Sequence, residues 1–203
     1  MAVTTADALV DAARRGDPDA WRELYRAHAG RLVVWLGTRA GTDSAIDPED
    51  VAAETWLTAA GKIATFSGTA DDFAAWLFGI ARHIAANTRR RAGRRSTDPT
   101  PHTTELVTTS IDDHAGTVAD MDWIRHTLAK LSPKERDVVA CIEVVGLSVA
   151  ETGPALDMKP VSVRVAHHRA LRRLRALHEA ESAPAPVASP VTASTPAAGT
   201  PAQ

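Results

Sequence analysis

The sequence predicts an all-α protein built as two small helical domains, joined by a flexible linker and followed by a disordered C-terminal tail. Three observations carry that expectation. Apolar residues recur at helical spacing through most of residues 1–95 and again through 117–181, while strand-like alternation is nearly absent. A capping residue precedes proline at Asp17-Pro18, Asp47-Pro48 and Ser132-Pro133, as at helix starts. Between the two stretches, "STDPTPHTTELVTTSIDDHAG" at residues 96–116 holds four acids, no Lys or Arg and no sustained period, which reads as a linker.

Residues 6–15 predict a short first helix. After Asp17-Pro18, the residues Trp21, Leu24, Tyr25, His28, Leu32, Trp35 and Leu36 mark one stripe of a second helix that ends at Gly37 or Gly41. Asp47-Pro48 opens a third. Ala52, Trp56, Ala59, Ala60 and Ile63 share a face of it, and Glu49, Asp50 and Glu54 sit near its positive end, where the helix dipole favours acids. A loop, "TFSGTADD", leads to a helix whose stripe is Phe73, Trp76, Leu77, Ile80, Ala81 and Ile84. Arginines begin where that stripe ends.

In the second half, Met121, Ile124, Leu128 and Leu131 predict one helix. Ser132 with Glu135, and Ser148 with Glu151, are capping boxes that start two more. A last helix begins near Pro160, and the short "LDMK" before it gives the final pair the spacing of a helix-turn-helix. Residues 182–203 are Pro, Ala, Thr, Ser and Val with almost no charge, too poor in large apolar groups to offset the entropy of ordering.

Composition excludes several classes. No apolar run approaches the roughly 20 residues that span a bilayer, and the N-terminal residues lack a basic start followed by an apolar core, so a soluble, cytoplasmic protein without membrane insertion is expected. The single cysteine, Cys141 in "DVVACIEVV", reads as a small buried hydrophobe. There is no Gly-rich phosphate loop, no metal-ligand cluster and no nucleophile with a positioned base, so no enzyme, cofactor or metal is expected.

Charge is where the sequence is most informative. The formal net charge is −2, yet two windows, residues 73–95 and 159–180, hold six basic residues each, 12 of the 23 Lys and Arg. On the last helix Val163, Ala170, Leu174 and Leu177 fall on one side, with Leu171 near its edge. Ser162, Arg164, Val165, His168, Arg169 and Arg172 fall opposite. A solvated basic face is the alternative for an isolated run; two capped helices and a short turn ahead of it favour insertion into a DNA major groove. The first window joins arginines to aromatics and a glycine-containing loop, the combination that holds single-stranded nucleic acid. Spacing assigns Phe73 and Trp76 to the core, with Phe66 and Phe78 less clearly so.

Five segments in order resemble the extracytoplasmic-function group of bacterial RNA polymerase sigma factors: "DPDAWRELYRAHAGRL", "DPEDVAAETWLTA", "FAAWLFGIARHIAANTRRR", "LAKLSPKERDVV" and "GLSVAET...L...VSVRVAHHRALRRL". The resemblance spans nearly everything from residue 6 to about 178. It implies two helical domains, regions 2 and 4, that direct core RNA polymerase to promoter DNA without a catalytic residue. It implies polymerase docking by Asp50, Glu54 and Trp56. It implies capture of a flipped minus-ten base by the loop with Phe66, Ser67, Gly68 and Thr69, and contacts to adjoining DNA by Arg82, His83, Asn87, Arg89, Arg90 and Arg91. Reading of the minus-thirty-five element falls to Lys159, Ser162, Arg164, His168, Arg169 and Arg172. An anti-sigma factor is a further partner that the resemblance leaves open. Gly153-Pro154, Asp157 in place of a usual Gly, Lys159 in place of a Ser or Thr cap and His167 in place of a Leu depart from the family pattern. The rival reading is a two-domain helix-turn-helix regulator, which would leave the aromatic and arginine-rich first half without a purpose.

Overall fold

The computed structural model describes residues 5–39, 47–95 and 118–182. The predicted linker at 96–116 and the tail beyond Ser182 lie outside the described residues. The elements are α1 (Thr5–Arg14), α2 (Pro18–Arg39), α3 (Pro48–Lys62) with a 3₁₀ turn (Ile63–Thr65), α4 (Ala70–Arg95), α5 (Val118–Ala129), α6 (Pro133–Val139) widening into a π-turn (Ala140–Val144), α7 (Val149–Leu156) and α8 (Pro160–Ser182). No strand occurs among the described residues.

The helix starts follow from capping chemistry. Asp17 Oδ1 accepts from the N–H of Asp19 at 2.9 Å, and Asp47 Oδ1 accepts from the N–H of Glu49 at 2.8 Å. Both predicted capping boxes form: Glu135 N–H donates to Ser132 Oγ at 3.4 Å and Glu151 N–H to Ser148 Oγ at 3.1 Å, while each glutamate accepts the serine's own N–H.

Three expectations need correction. The loop is shorter than "TFSGTADD", because Asp72 Oδ2 accepts from both the N–H and the hydroxyl of Thr69, at 2.9 and 2.8 Å, and starts α4 at Ala70. On α3, Ala60 is exposed, and Val51 and Thr55 take the buried positions beside Ala52 and Ala59. Phe78, ambiguous by spacing, is fully buried, its ring 5.3 Å from that of Trp35.

Trp35, Phe73, Phe78, Leu32, Leu36 and Leu77 form the aromatic and aliphatic centre of the first half. The core does not stop there. Leu128, Val138, Leu147, Ala155 and Val163 of the second half belong to the same buried cluster, with α7 lying along α4 and α5 and the π-turn against α2. A seam of polar contacts closes the junction. Arg31 Nε donates to the Val145 carbonyl at 2.8 Å, Arg125 Nε to the Gly37 carbonyl at 2.8 Å, and Arg39 pairs with Asp137 at 2.8 Å while lying over the Trp35 ring. Helix α8 packs on α6 and α7.

The turn of the helix-turn-helix explains the departures in its sequence. Asp157 adopts the left-handed conformation, with φ 57°. Met158 N–H donates back to the Gly153 carbonyl at 2.8 Å. A Cβ on Gly153 would meet the Met158 carbonyl at 2.9 Å, so this position requires glycine. With Pro154 inside it, α7 is short, ending at Leu156.

His28 sits where α2, α4 and α7 converge, its ring 5.5 Å from Phe73. Burial lowers its pKa to about 4; the Arg31 charge adds to the effect and Glu151 of α7 opposes it. The unfolded chain therefore takes up the proton first, so this contribution to stability is complete above pH 6.5 and is lost as pH falls towards 4. Denaturant unfolding should lose up to about 2–3 kcal/mol across that window through this group. In His28→Gln that part of the pH slope should be absent.

Candidate nucleic-acid interface

Helix α3 presents an outward face of Asp50 and Glu54, both exposed. Trp56 is half-buried, its ring 5.0 Å from Tyr25 and edge-on to Trp21 at 6.5 Å. Sequence reasoning missed Leu57, which is 75% exposed, with Tyr25 41% exposed on the neighbouring helix. The signal was available: Leu57 falls off the Ala52, Ala59 and Ile63 stripe and on the side of Asp50 and Glu54. A large exposed leucine beside two acids is a surface suited to a partner that is apolar and basic.

The loop before α4 is tightly tied down. The Phe66 ring packs 4.7 Å from Trp76 and 6.0 Å from Phe73, with the Arg14 guanidinium 5.4 Å above it. Arg14 also donates to the Gly68 carbonyl at 2.7 Å. Ser67 and Thr69 are exposed, whereas Phe66 is engaged in packing. The Thr69 backbone and hydroxyl hydrogen bonds hold the Asp72 carboxyl below its usual range, so the carboxylate that caps the helix stays ionised.

The basic half of α4 divides into two faces. His83, Asn87, Arg90 and Arg91 are exposed along one side, and Arg90 donates to Asn87 Oδ1. Arg82 and Arg89, seven residues apart, share another side. Arg82 is half-buried, and Arg89 donates to the Arg39 carbonyl at the end of α2 at 2.9 Å. The six residues grouped by sequence are therefore not one surface.

On α8 the predicted partition holds. Lys159, Arg164, His168, Arg169 and Arg172 are exposed and Ser162 is half-buried, opposite the buried Val163, Ala166 and Ala170. Val161 and Val165, 67% and 43% exposed, add apolar atoms to the open side. His167 does not join His168; its Nε2 meets Glu143 at 2.6 Å. Among the described residues no cluster of His, Cys, Asp or Glu could hold a metal ion. Cys141 is sealed in the core, where burial pushes its thiol up to about 12.

Comparison with known proteins gives this arrangement a family. Sigma-70 region 2 matches residues 24–95, and Sigma-70 region 4 matches residues 121–174. The ECF RNA polymerase sigma factor ShbA of Streptomyces griseus subsp. griseus is 34% identical over 185 residues, covering 87% of this chain and 96% of the relative. The chain belongs to the ECF RNA polymerase sigma factors. The sigma factor SigD of Mycobacterium tuberculosis is also similar, 33% identical over 173 residues, covering 83% of this chain and 82% of the relative. Among solved structures, CnrH in complex with the cytosolic domain of CnrY aligns with TM-score 0.64 and 25% identity over 87% of this sigma factor and 99% of that chain. A sigma factor of this kind directs RNA polymerase in transcription initiation. No described helix of it is long and apolar enough to cross a membrane.

Gly68 is the tightest point of this surface. A Cβ there would lie 2.6 Å from the Phe66 ring and 2.7 Å from Asp72 Cβ. Gly68→Ala should displace the ring and destabilise the fold by about 1–3 kcal/mol, as overpacking does. Urea unfolding would measure it, and Ser67→Ala on the exposed side should leave stability within about 0.5 kcal/mol.

Proposed function

We propose that the sigma factor engages its partners through three separate faces. Asp50, Glu54, Trp56 and Leu57 of α3 dock on core polymerase. Ser67, Gly68 and Thr69, with His83, Asn87, Arg90 and Arg91, hold the opened minus-ten strand, Phe66 serving as the packed floor of the loop. Lys159, Ser162, Arg164, His168, Arg169 and Arg172 read the minus-thirty-five element as duplex. Residues 1–95 and 117–181 are the two functional units, and the work is done by binding alone, in the cytoplasm. The observation that carries this reading is the division of exposed charge: an acidic and apolar face on α3, and two basic faces on α4 and α8. CnrH is seen in complex with the cytosolic domain of CnrY, and RpoE from Bartonella quintana in complex with the anti-sigma factor NepR; we infer a protein partner of the anti-sigma kind for this chain as well.

Polymerase docking is tested by charge and by apolarity. Glu54→Arg with Leu57→Asp alters only exposed atoms. The pair should weaken core polymerase binding at least tenfold in a competition assay while leaving the circular dichroism spectrum and thermal midpoint unchanged. Unchanged affinity would remove α3 from the docking surface.

The two basic faces should fail at different stages. Asn87→Ala with Arg91→Ala should slow promoter opening, and a template already unpaired at minus ten should restore much of the activity. Arg164→Ala should instead weaken recognition of the duplex element by about 1–3 kcal/mol, with no rescue by pre-opening, if the side chain pairs with a base edge. Equal responses of both variants to the unpaired template would remove the division of labour.

A further inference from the structure

The loop that carries Ser67 and Thr69 is fixed by a helix that the region 2 match leaves out. Helix α1 ends at Arg14, ahead of the matched residues 24–95. It is anchored in the bundle, since Val10 and Ala13 are buried and Trp21 Nε1 donates to the Ala13 carbonyl at 3.1 Å.

Two peptide units flank Thr69, and both polar ends of each are held. In the first, the Gly68 carbonyl accepts from Arg14 Nη2 at 2.7 Å while the Thr69 N–H donates to Asp72 Oδ2 at 2.9 Å. In the second, the Thr69 carbonyl accepts from the Asp72 N–H at 3.1 Å while the Ala70 N–H donates to Asp7 Oδ1 at 2.9 Å. Asp72 thus supplies one partner of each peptide unit from within the loop's own turn, and α1 supplies the other from a distant segment. Surface loops are ordinarily more mobile than the elements they join. Here α1 removes that freedom and leaves the Ser67 and Thr69 side chains exposed.

We propose that α1 is a clamp that presets the minus-ten loop for an unstacked base, with Arg14 and Asp7 as its positioning residues; the proposal rests on the three-face reading above, in which this loop holds the opened strand. Both residues are half-buried. The Arg14 guanidinium is committed to the Gly68 carbonyl, to the Phe66 ring 5.4 Å away and to Asp11 at 2.6 Å, so it acts through the loop and not as a phosphate contact. A loop ordered during folding does not charge its ordering entropy to DNA binding, and the captured base meets a preformed site.

The test uses the full chain bound to core polymerase, with single-stranded minus-ten oligonucleotides that each lack one base. Wild-type affinity should fall most when one particular base is missing. Arg14→Ala and, separately, Asp7→Ala should weaken binding of the intact strand by about five- to thirtyfold, the cost of ordering one residue's backbone. Their affinity for core polymerase should not change. On the strand lacking the captured base, the difference from wild type should shrink below about twofold, since there is no base left to position. Charge separates the clamp from simple attraction. Loss of the Asp7 carboxylate would by attraction alone strengthen binding to a phosphate chain, whereas the clamp requires it to weaken. Asp7→Asn keeps an acceptor for the Ala70 N–H and should stay within about threefold of wild type. If Arg14→Ala does not fold, the two Asp7 variants carry the test. Asp7→Ala binding the intact strand as tightly as wild type, or a loss that persists undiminished on the strand lacking the captured base, would overturn the proposal. A wild-type protein indifferent to every missing base would overturn the three-face reading at this loop instead. Hydrogen exchange would then still decide whether α1 holds the loop: the Ala70 amide should be protected in wild type and exchange at least about tenfold faster in Asp7→Ala.

Discussion

Burial of α4 on more than one side is the constraint that organises the molecule. One stripe, Phe73, Leu77, Ala81 and Ile84, packs into the first bundle, and a second set, Ala74, Ala75, Phe78 and Ala85, is buried as well. Small side chains let a neighbouring helix approach closely. Helix α7 answers in kind with Thr152, Gly153 and Ala155. Such a contact is close, yet it removes less apolar area per residue than the Trp35 and Phe78 packing beside it, and stabilisation scales with that area. The tight aromatic centre and the shallower junction thus have different strengths within one continuous core.

Arginine performs two tasks in this chain. Some arginines face solvent on α4 and α8; others close the carboxyl ends of helices contributed by other segments. Arg125 meets Gly37 and Arg89 meets Arg39 at the end of α2. Arg136 donates to Leu128 at 3.0 Å at the end of α5, and Arg31 reaches Val145 after the π-turn. The last carbonyls of a helix have no partner of their own and carry partial negative charge, so a guanidinium satisfies both deficits. Arg39 is the partly buried case, balanced by Asp137, whose own carboxyl is pushed up by burial while Arg39 pulls it back.

Local chemistry was legible in the sequence, and contacts between distant segments were not. The caps at Asp47, Ser132 and Ser148 and the faces of α8 follow from residues within a turn of one another, and the structure reproduces them. The seam joins residue 31 to residue 145, and no period in either segment announces it. Alanines at 74, 75 and 85 read as neutral helix formers until a second helix covers them. Phe78 was ambiguous for a related reason: it lies off the main stripe, and its partner, Trp35, comes from another helix. Leu57 is the reverse case, a large apolar residue that the fold leaves uncovered.

The shared core also has a consequence for how the chain is made. Synthesis runs from the N-terminus, so α1 to α4 emerge and can pack before α7 exists. At about 5–20 residues per second, the roughly 60 residues between the end of α4 and the end of α7 take several seconds to appear. Throughout that interval the alanine face of α4 is open to water on the nascent chain. Its small side chains limit the harm, because a shallow alanine surface is a poorer seed for association than a leucine one. The same residue choice that lets two helices meet closely in the finished protein therefore keeps the unfinished one tractable on the ribosome.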